Sequence, residues 1–351
     1  MSTDQAFVSV RPQIKVAGTE NRDLTEALTA MVINVPLLGM AHAELTVSNW
    51  IATGDNAEYD FGFQTLGLGE TVEIIMTNGD DSSSRLFKGE VTALEECYGE
   101  GAPQLVILLQ DKLHRLTRTR HSRVFEEQSL DDVVNRIAGD AGLTADVNVS
   151  SVVATYHQLN ESDLAFLLRL CGSHDIAARL VDNQLRVRPE QADADPVELN
   201  AKDSALKVRL IADLNHQPIR VQVKGYNLDN DAEVSESGNS LRLPANGTTA
   251  ANTLSNLGWD GEEIVPQPFP RSQGEAEALA KAHFNRAAKR FISGDIRAIG
   301  EARLTSGREI QLSGVSPRFE GRYQIVNCVH RFDSVSGFET HLKVNRADWQ
   351  P

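Results

Sequence analysis

The chain has 351 residues, 41% of them hydrophobic, and a formal net charge of −15. That supply of apolar residues supports two or three packed domains and excludes a disordered chain. The acidic balance argues against a nucleic-acid binder, which works through clustered Lys and Arg.

Met1 to Ala6 has neither the basic start nor the apolar stretch of a leader, and no segment approaches the roughly 18 apolar residues of a membrane span. Synthesis in a cytoplasm without a signal peptide is therefore expected. Residues 1–115 read as β. Phe7, Val8, Val10, Ile14 and Val16 alternate loosely, and 28–47 holds two apolar runs broken at Pro36 and Gly39. Further β-branched runs follow at 71–76, 85–94 and 105–109, separated by turn-rich sequence. Short strands at this spacing predict a small antiparallel barrel or sandwich.

The middle, 116–200, reads as α/β with two capped helices. Ser129 and Asp132 form a capping box, with Leu130, Val133, Val134, Ile137 and Ala138 on one face and a stop at Gly142. A second helix is expected from Asn160 as cap, with Asp163 in its first turn and Leu164, Leu167, Leu168 and Cys171 as an apolar stripe. A hairpin is expected over 180–187, and the acidic stretch 190–196 reads as a boundary. Arg118, Arg120 and Arg123 read as a solvated strand or loop.

The β signal returns over 201–351. Residues 228–271 form a long polar stretch read as an arm, in which Trp259 and Phe269 are candidate anchors on another surface. Ser272 and Glu275 make another capping box, opening a helix over 272–293 with Ala276, Ala280, Phe284, Ala287 and Phe291 on one face. The strand pair 87–94 and 105–111 is echoed by 323–329 and 338–346, as a fold containing two copies of one β-module would produce.

No catalytic, cofactor-binding or metal-binding residue is assigned. There is no Gly-x-Ser-x-Gly elbow and no His-Glu-x-x-His. Leu66-Gly-Leu-Gly-Glu70 lacks the third glycine of a dinucleotide loop and reads as a turn. Asn227, Asp229, Asp231 and Glu233 alternate like the start of a calcium loop, but Ala232 and Gly238 stand where its Gly and Glu belong. Cys328 and His330 share a strand face without further ligands. The neighbours Glu95-Glu96 and Glu126-Glu127 face opposite ways on strands, unlike a glycosidase pair. Cys97, Cys171 and Cys328 give no disulfide framework or zinc box and are expected to be small core residues.

Four blocks resemble the phage late control protein D family and the N-terminal half of the valine–glycine repeat (VgrG) spike proteins of type VI secretion. They are Phe87-Lys-Gly-Glu-Val-Thr-Ala-Leu94; Ser122-Arg-Val-Phe125 with 128–134; Asn160-Glu-Ser-Asp-Leu-Ala-Phe-Leu-Leu-Arg-Leu170; and Gly314-Val with Phe319 to Tyr323 and His330-Arg-Phe-Asp333. The resemblance implies an α+β fold with two similar antiparallel β-barrel domains flanking the small α/β middle domain, assembled as a trimeric ring. It implies a structural baseplate hub of a contractile injection system, a phage tail, tailocin or related particle. Its partners would be a separate trimeric spike, since the chain ends at Pro351 without valine–glycine repeats, a hexameric tail tube that it nucleates, and other baseplate proteins. No sequence-specific nucleic acid is expected, and acidic side chains are expected along the central channel. The competing readings are a tail-associated peptidoglycan hydrolase and a host- or receptor-binding tail module.

Overall fold

The computed structural model describes residues 11–53, 58–77, 83–99, 101–149, 151–189, 195–243, 245–265 and 269–350. The runs at Phe7 to Val10 and the boundary at 190–194 lie outside them.

The protein is mostly β-sheet. The N-terminal unit comprises β1 (Gln13–Val16), β2 (Thr19–Glu20), α1 (Arg22–Ala27), β3 (Leu28–Pro36), β4 (His42–Ser48), β5 (Trp50–Thr53), β6 (Glu58–Phe61), β7 (Thr71–Thr77), β8 (Ser83–Cys97) and β9 (Gln104–Gln110), closed by a 3₁₀ turn at Lys112–Thr117. Two-residue periodicity fixes which face is inward. Ala43, Leu45 and Val47 of β4, Val72, Ile74 and Met76 of β7, and Leu105, Ile107 and Leu109 of β9 are buried while their neighbours are not.

The middle unit holds β10 (Arg120–Gln128), α2 (Leu130–Asp140), β11 (Thr144–Val147), β12 (Ala154–Ser162), α3 (Asp163–Ser173), β13 (Ile176–Val181) and β14 (Gln184–Pro189). The Ser129–Asp132 capping box forms, with both reciprocal bonds present. The 13–14 hairpin turns on Asp182 and Asn183, both at positive φ, the conformation a two-residue type I′ turn requires. The cap of α3 differs from the expected one. Ser162, not Asn160, accepts from the Ala165 N–H. Asn160 lies inside β12 at φ 51°, beside a register shift between β10 and β12, with its N–H donated to Ser122 and its carbonyl accepting from Arg120. Asn tolerates that left-handed backbone, so it serves a bulge rather than a helix start.

The C-terminal unit holds β15 (Val197–Asn200), β16 (Ala205–Ala212), β17 (Arg220–Asn227), β18 (Ala232–Gly238), β19 (Thr248–Thr249), α4 (Ala250–Leu257), β20 (Glu262–Val265), α5 (Gln273–Ala288), β21 (Ile292–Ile299), β22 (Glu309–Ser313), β23 (Gly321–Asp333), β24 (Gly337–Arg346) and β25 (Asp348–Trp349). The 228–271 stretch is therefore not a free arm. It supplies β18, α4 and β20, and α5 packs on the resulting β18–β17–β20 sheet through Ala276, Ala280 and Phe284. Its polar composition reflects a small sheet with one solvated face. The Ser272–Glu275 capping box forms, but α5 ends at Ala288. Phe291 is buried beyond it, and Gly294 belongs to β21, where a Cβ would overlap the Arg209 carbonyl.

The two expected barrels are not separate bodies. β3 uses its second edge to pair antiparallel with β23, from Ala30–Asp333 to Pro36–Asn327. The halves thus merge into one 13-stranded sheet, eleven strands of which run in the order β16-β21-β24-β23-β3-β4-β9-β8-β7-β1-β2 while β22 and then β15 branch from β23, and among the described residues its pairings do not close into a barrel. Burial cements the seam: Phe332, opposite Met31, joins the N-terminal core.

Candidate assembly surface

Eight neighbours on that path, β16 to β8, run antiparallel throughout. Their inward rows are apolar in the main, with His330 and Thr340 as buried polar members. Their outward rows are largely polar, and the segment 172–177 and the end of α5 overhang part of them beside Arg209, Asp295 and Lys343. One row runs Lys207, Arg297, His341, Val329, Asn34, His42 and Gln110; the next runs Arg209, Asp295, Lys343, Asn327 and Pro36. Glu95 stands on the same face through its pairing with Val106.

This face departs from an acidic wall. Lys207, Arg209, Arg297, Arg331 and Lys343 gather on its C-terminal half, against Asp295, Glu339 and Asp333. Glu339 is engaged by Arg297 and, at 3.1 Å, by His341. Burial pushes its carboxyl up, and the hydrogen bonds from Arg297 and His341 outweigh that and hold it below the ordinary value. The net charge of −15 therefore resides mainly elsewhere on the chain.

Both ends of the eight-strand run are open. β16 pairs with β21 alone. β8 pairs with β7 up to Glu90, Val91 bonds to Gly69 and Glu70, and residues 92–97 carry no partner on that side among the described residues. Gly89 lets β8 pass close to its neighbours, since a Cβ there would overlap the Gln110 carbonyl and the Phe87 ring. Cys97, expected in a core, is exposed on this free end. Beside it Trp50, Phe61 and Tyr98 make an exposed edge-to-face aromatic series, with centroids 5.4 and 6.0 Å apart.

The sequence blocks around Ser122 and Asn160 meet across the β10–β12 pair. Arg123 donates to Asp163 at 2.7 Å and to Gln158 at 2.8 Å, and its guanidinium lies 5.0 Å from the Phe125 ring. Phe125 in turn stacks on Phe166 at 5.5 Å. Arg123 is thus a structural tie, not a solvated cation. Its pairing was invisible in sequence, because forty residues separate the partners.

Other sequence candidates resolve structurally. Asn227 to Glu233 is the β17–β18 turn, in which Asn227 Oδ1 accepts from the Asp229 and Asn230 N–H groups. Cys328 Sγ and His330 Nε2 are 3.5 Å apart, buried, with His330 Nδ1 against Thr340 Oγ1 at 3.1 Å. Among the described residues no group of three His, Cys, Asp or Glu could hold a metal ion, and no helix is long and apolar enough to cross a membrane. Leu66 to Glu70 is a turn tied to β8 by the Gly69 N–H to Val91 carbonyl bond. Trp259 and Phe269 are exposed. Glu90 is buried beside His114 and Arg115. Burial pushes its carboxyl up, and their hydrogen bonds bring it below the ordinary value.

The family model described as the Alg8 N-terminal domain matches residues 7–334. No curated protein matches the sequence. Among solved structures, the fold is similar to the 43 kDa tail protein of prophage MuSo2 from Shewanella oneidensis, with a TM-score of 0.69 at 13% identity over 96% of this chain and 98% of that one. It is similar to a tail protein from Neisseria meningitidis MC58, with a TM-score of 0.66 at 13% identity over 97% and 99%. A third likeness is to the E. coli c3393 protein, described as a component of the type VI secretion system, with a TM-score of 0.64 at 11% identity over 97% and 79%. The chain therefore has a tail-protein fold shared with type VI secretion components.

Proposed function

The chain belongs to the Alg8 N-terminal domain family, and we propose that it is a non-catalytic baseplate hub of a contractile injection particle. In this reading three copies form a ring that adapts a trimeric spike to a hexameric tail tube and nucleates the tube. The chain divides near residues 115 and 200 into two related β-modules and a middle unit.

The observation that carries the reading is the eight-strand antiparallel run with an open edge at each end. An exposed edge invites pairing with another chain. An even number of antiparallel strands leaves the two edges running in opposite directions. Copies related by rotation about an axis along the strands can then join β16 of one to residues 92–97 of β8 in the next, antiparallel, without breaking the alternation. Such contacts are heterologous, and they close into a ring when the rotation allows. Because each copy contributes two modules joined at β3–β23, a threefold ring presents six module positions, the number a hexameric tube needs. The tail-protein fold supports the same assignment.

The test is covalent. Cys97 is exposed, whereas Cys171 and Cys328 are buried. Introducing Lys207→Cys, Arg209→Cys or Ile211→Cys along β16 and oxidising should give disulfide-linked species up to three copies at one of these positions, through Cys97, together with a threefold mass by light scattering. A chain that stays monomeric alone and with its particle's spike, and links at no position, overturns the reading.

A further inference from the structure

A cavity of about 610 Å³ opens where the Pro36–Leu38 turn, the segment 172–177 and the end of α5 meet the outward rows of β16, β21 and β24. Its wall collects Arg209, Arg286, Lys289, Arg290 and Lys343 against two carboxylates. Some of these charges are already engaged. Lys289 donates to Asp175 at 2.8 Å, and Arg286 to the Gly172 carbonyl at 2.6 Å. Arg209, Arg290 and Lys343 are exposed, and their side chains make no hydrogen bond or salt bridge among the described residues. The groove continues along the sheet face, past Arg209 and Lys343, to Lys207 and Arg331. In a chain of net charge −15, uncompensated cations converging on one groove raise the local concentration of an anionic partner.

We propose that this groove binds an extended acidic segment of a partner polypeptide. Its carboxylates lie on Arg209, Arg290 and Lys343, and its apolar side chains lie on Leu38 and Ile211, which are 38% and 53% exposed at the groove floor. The wall favours a peptide over a nucleic acid. Asp295 stands in register between Arg209 and Lys343, and it would repel a phosphate backbone that carries charge at every step. A peptide places a neutral residue there. The lining also offers aliphatic contacts and no aromatic stacking platform of the kind single strands use.

The test uses the full chain and a fluorescein-labelled peptide of about twelve residues repeating Asp-Ala-Glu-Leu, read by anisotropy at about 50 mM salt, where exposed charges are weakly screened. Binding is expected, weakening as salt rises. The combined variant Arg209→Gln, Arg290→Gln, Lys343→Gln should lose about tenfold or more in affinity, as removal of three exposed charges predicts. Lys202→Gln with Lys281→Gln, away from the groove, should leave it unchanged. Absence of binding, equal loss in both variants, or tighter binding of a labelled single-stranded DNA of the same length would each overturn the proposal. The measurement is indifferent to whether the chain forms a ring, so its failure and that of the hub reading are separable.

Discussion

Arg123 on β10 and Asp163 at the start of α3 stand 2.7 Å apart, and this contact welds the two sequence blocks of the middle unit into one structure. Asp163 is 9% exposed and also accepts from Gln158. Its carboxylate sits in the first turn of α3, where the helix N-terminus favours negative charge. Arg123→Ala leaves that buried carboxylate short of a charged donor and strips a cation from the Phe125 face. A loss of about 2 kcal/mol in urea unfolding is expected. Arg123→Lys should recover little of it, because Lys cannot serve Gln158 and Asp163 together through a planar fork. Full recovery by Lys would reduce the tie to plain charge pairing.

Acid should act on two buried groups with opposite sign. Burial pushes the His330 imidazole down to about 4, against smaller raising effects of the Leu304 backbone and Glu301. The unfolded chain takes up its proton near 6.5, the native chain near 4. Stability from His330 is therefore present above 6.5 and is lost as pH falls toward 4, by ~3 kcal/mol. Burial pushes the Asp111 carboxyl up to about 6, against the lowering bonds from the Ala41 and Leu113 N–H groups. The native chain here binds the proton more tightly than the unfolded one. The cost of the charged carboxylate is present above 6 and is relieved as pH falls toward 3.8. His330→Gln should flatten the acid limb of a stability-against-pH curve, and Asp111→Asn should steepen it. The same slope in all three proteins would remove both assignments.

Gly89 and Gly139 should respond to alanine in opposite directions. A Cβ at Gly89 would run into the Gln110 carbonyl and the Phe87 ring, between two paired strands that cannot separate. Gly89→Ala is expected to cost about 3 kcal/mol or to prevent folding. Gly139 lies in α2 with nothing near the new methyl. Gly139→Ala should raise stability by about 0.5–1 kcal/mol through helix propensity and unfolded-state entropy. Thermal melts of the two variants decide both.

Local signals carried much of the fold into the sequence, and long-range ones did not. Both capping boxes were legible because a box is written within four residues: Ser129 with Asp132, and Ser272 with Glu275. The two hairpins, β8–β9 and β23–β24, were legible from alternation and their turns. The α3 cap was misplaced because Asn160 and Ser162 are both good cap residues, and the choice depends on a bulge against β10 that tertiary pairing sets. The β3–β23 seam joins residues some three hundred positions apart and leaves no local mark, so two closed barrels were expected where one open sheet stands. The open edges and the cationic face follow from that seam and were hidden with it. Trp50, Phe61 and Tyr98 were equally unmarked, since their association rests on the β5–β6 pair and the end of β8.

The ring join can be probed by exchanging charge across it. Lys207 faces outward from β16, in register with Arg297, and makes no salt bridge among the described residues. Glu95 stands on the same face of β8, on its unpaired end. If residues 92–97 of one copy add antiparallel to β16 of the next, these two side chains share one face of the closed sheet. Opposite charges across neighbouring strands contribute roughly 0.2–1 kcal/mol, and like charges cost a similar amount. In a threefold ring the effect enters three times. Lys207→Glu and Glu95→Lys should each weaken self-assembly by light scattering while leaving the melting temperature of the isolated chain nearly unchanged, because neither residue is buried. Combined in one chain, the two should restore assembly toward the starting level. A double variant that assembles no better than the worse single one, in a chain whose wild type forms trimers, would place the subunit contact on another surface.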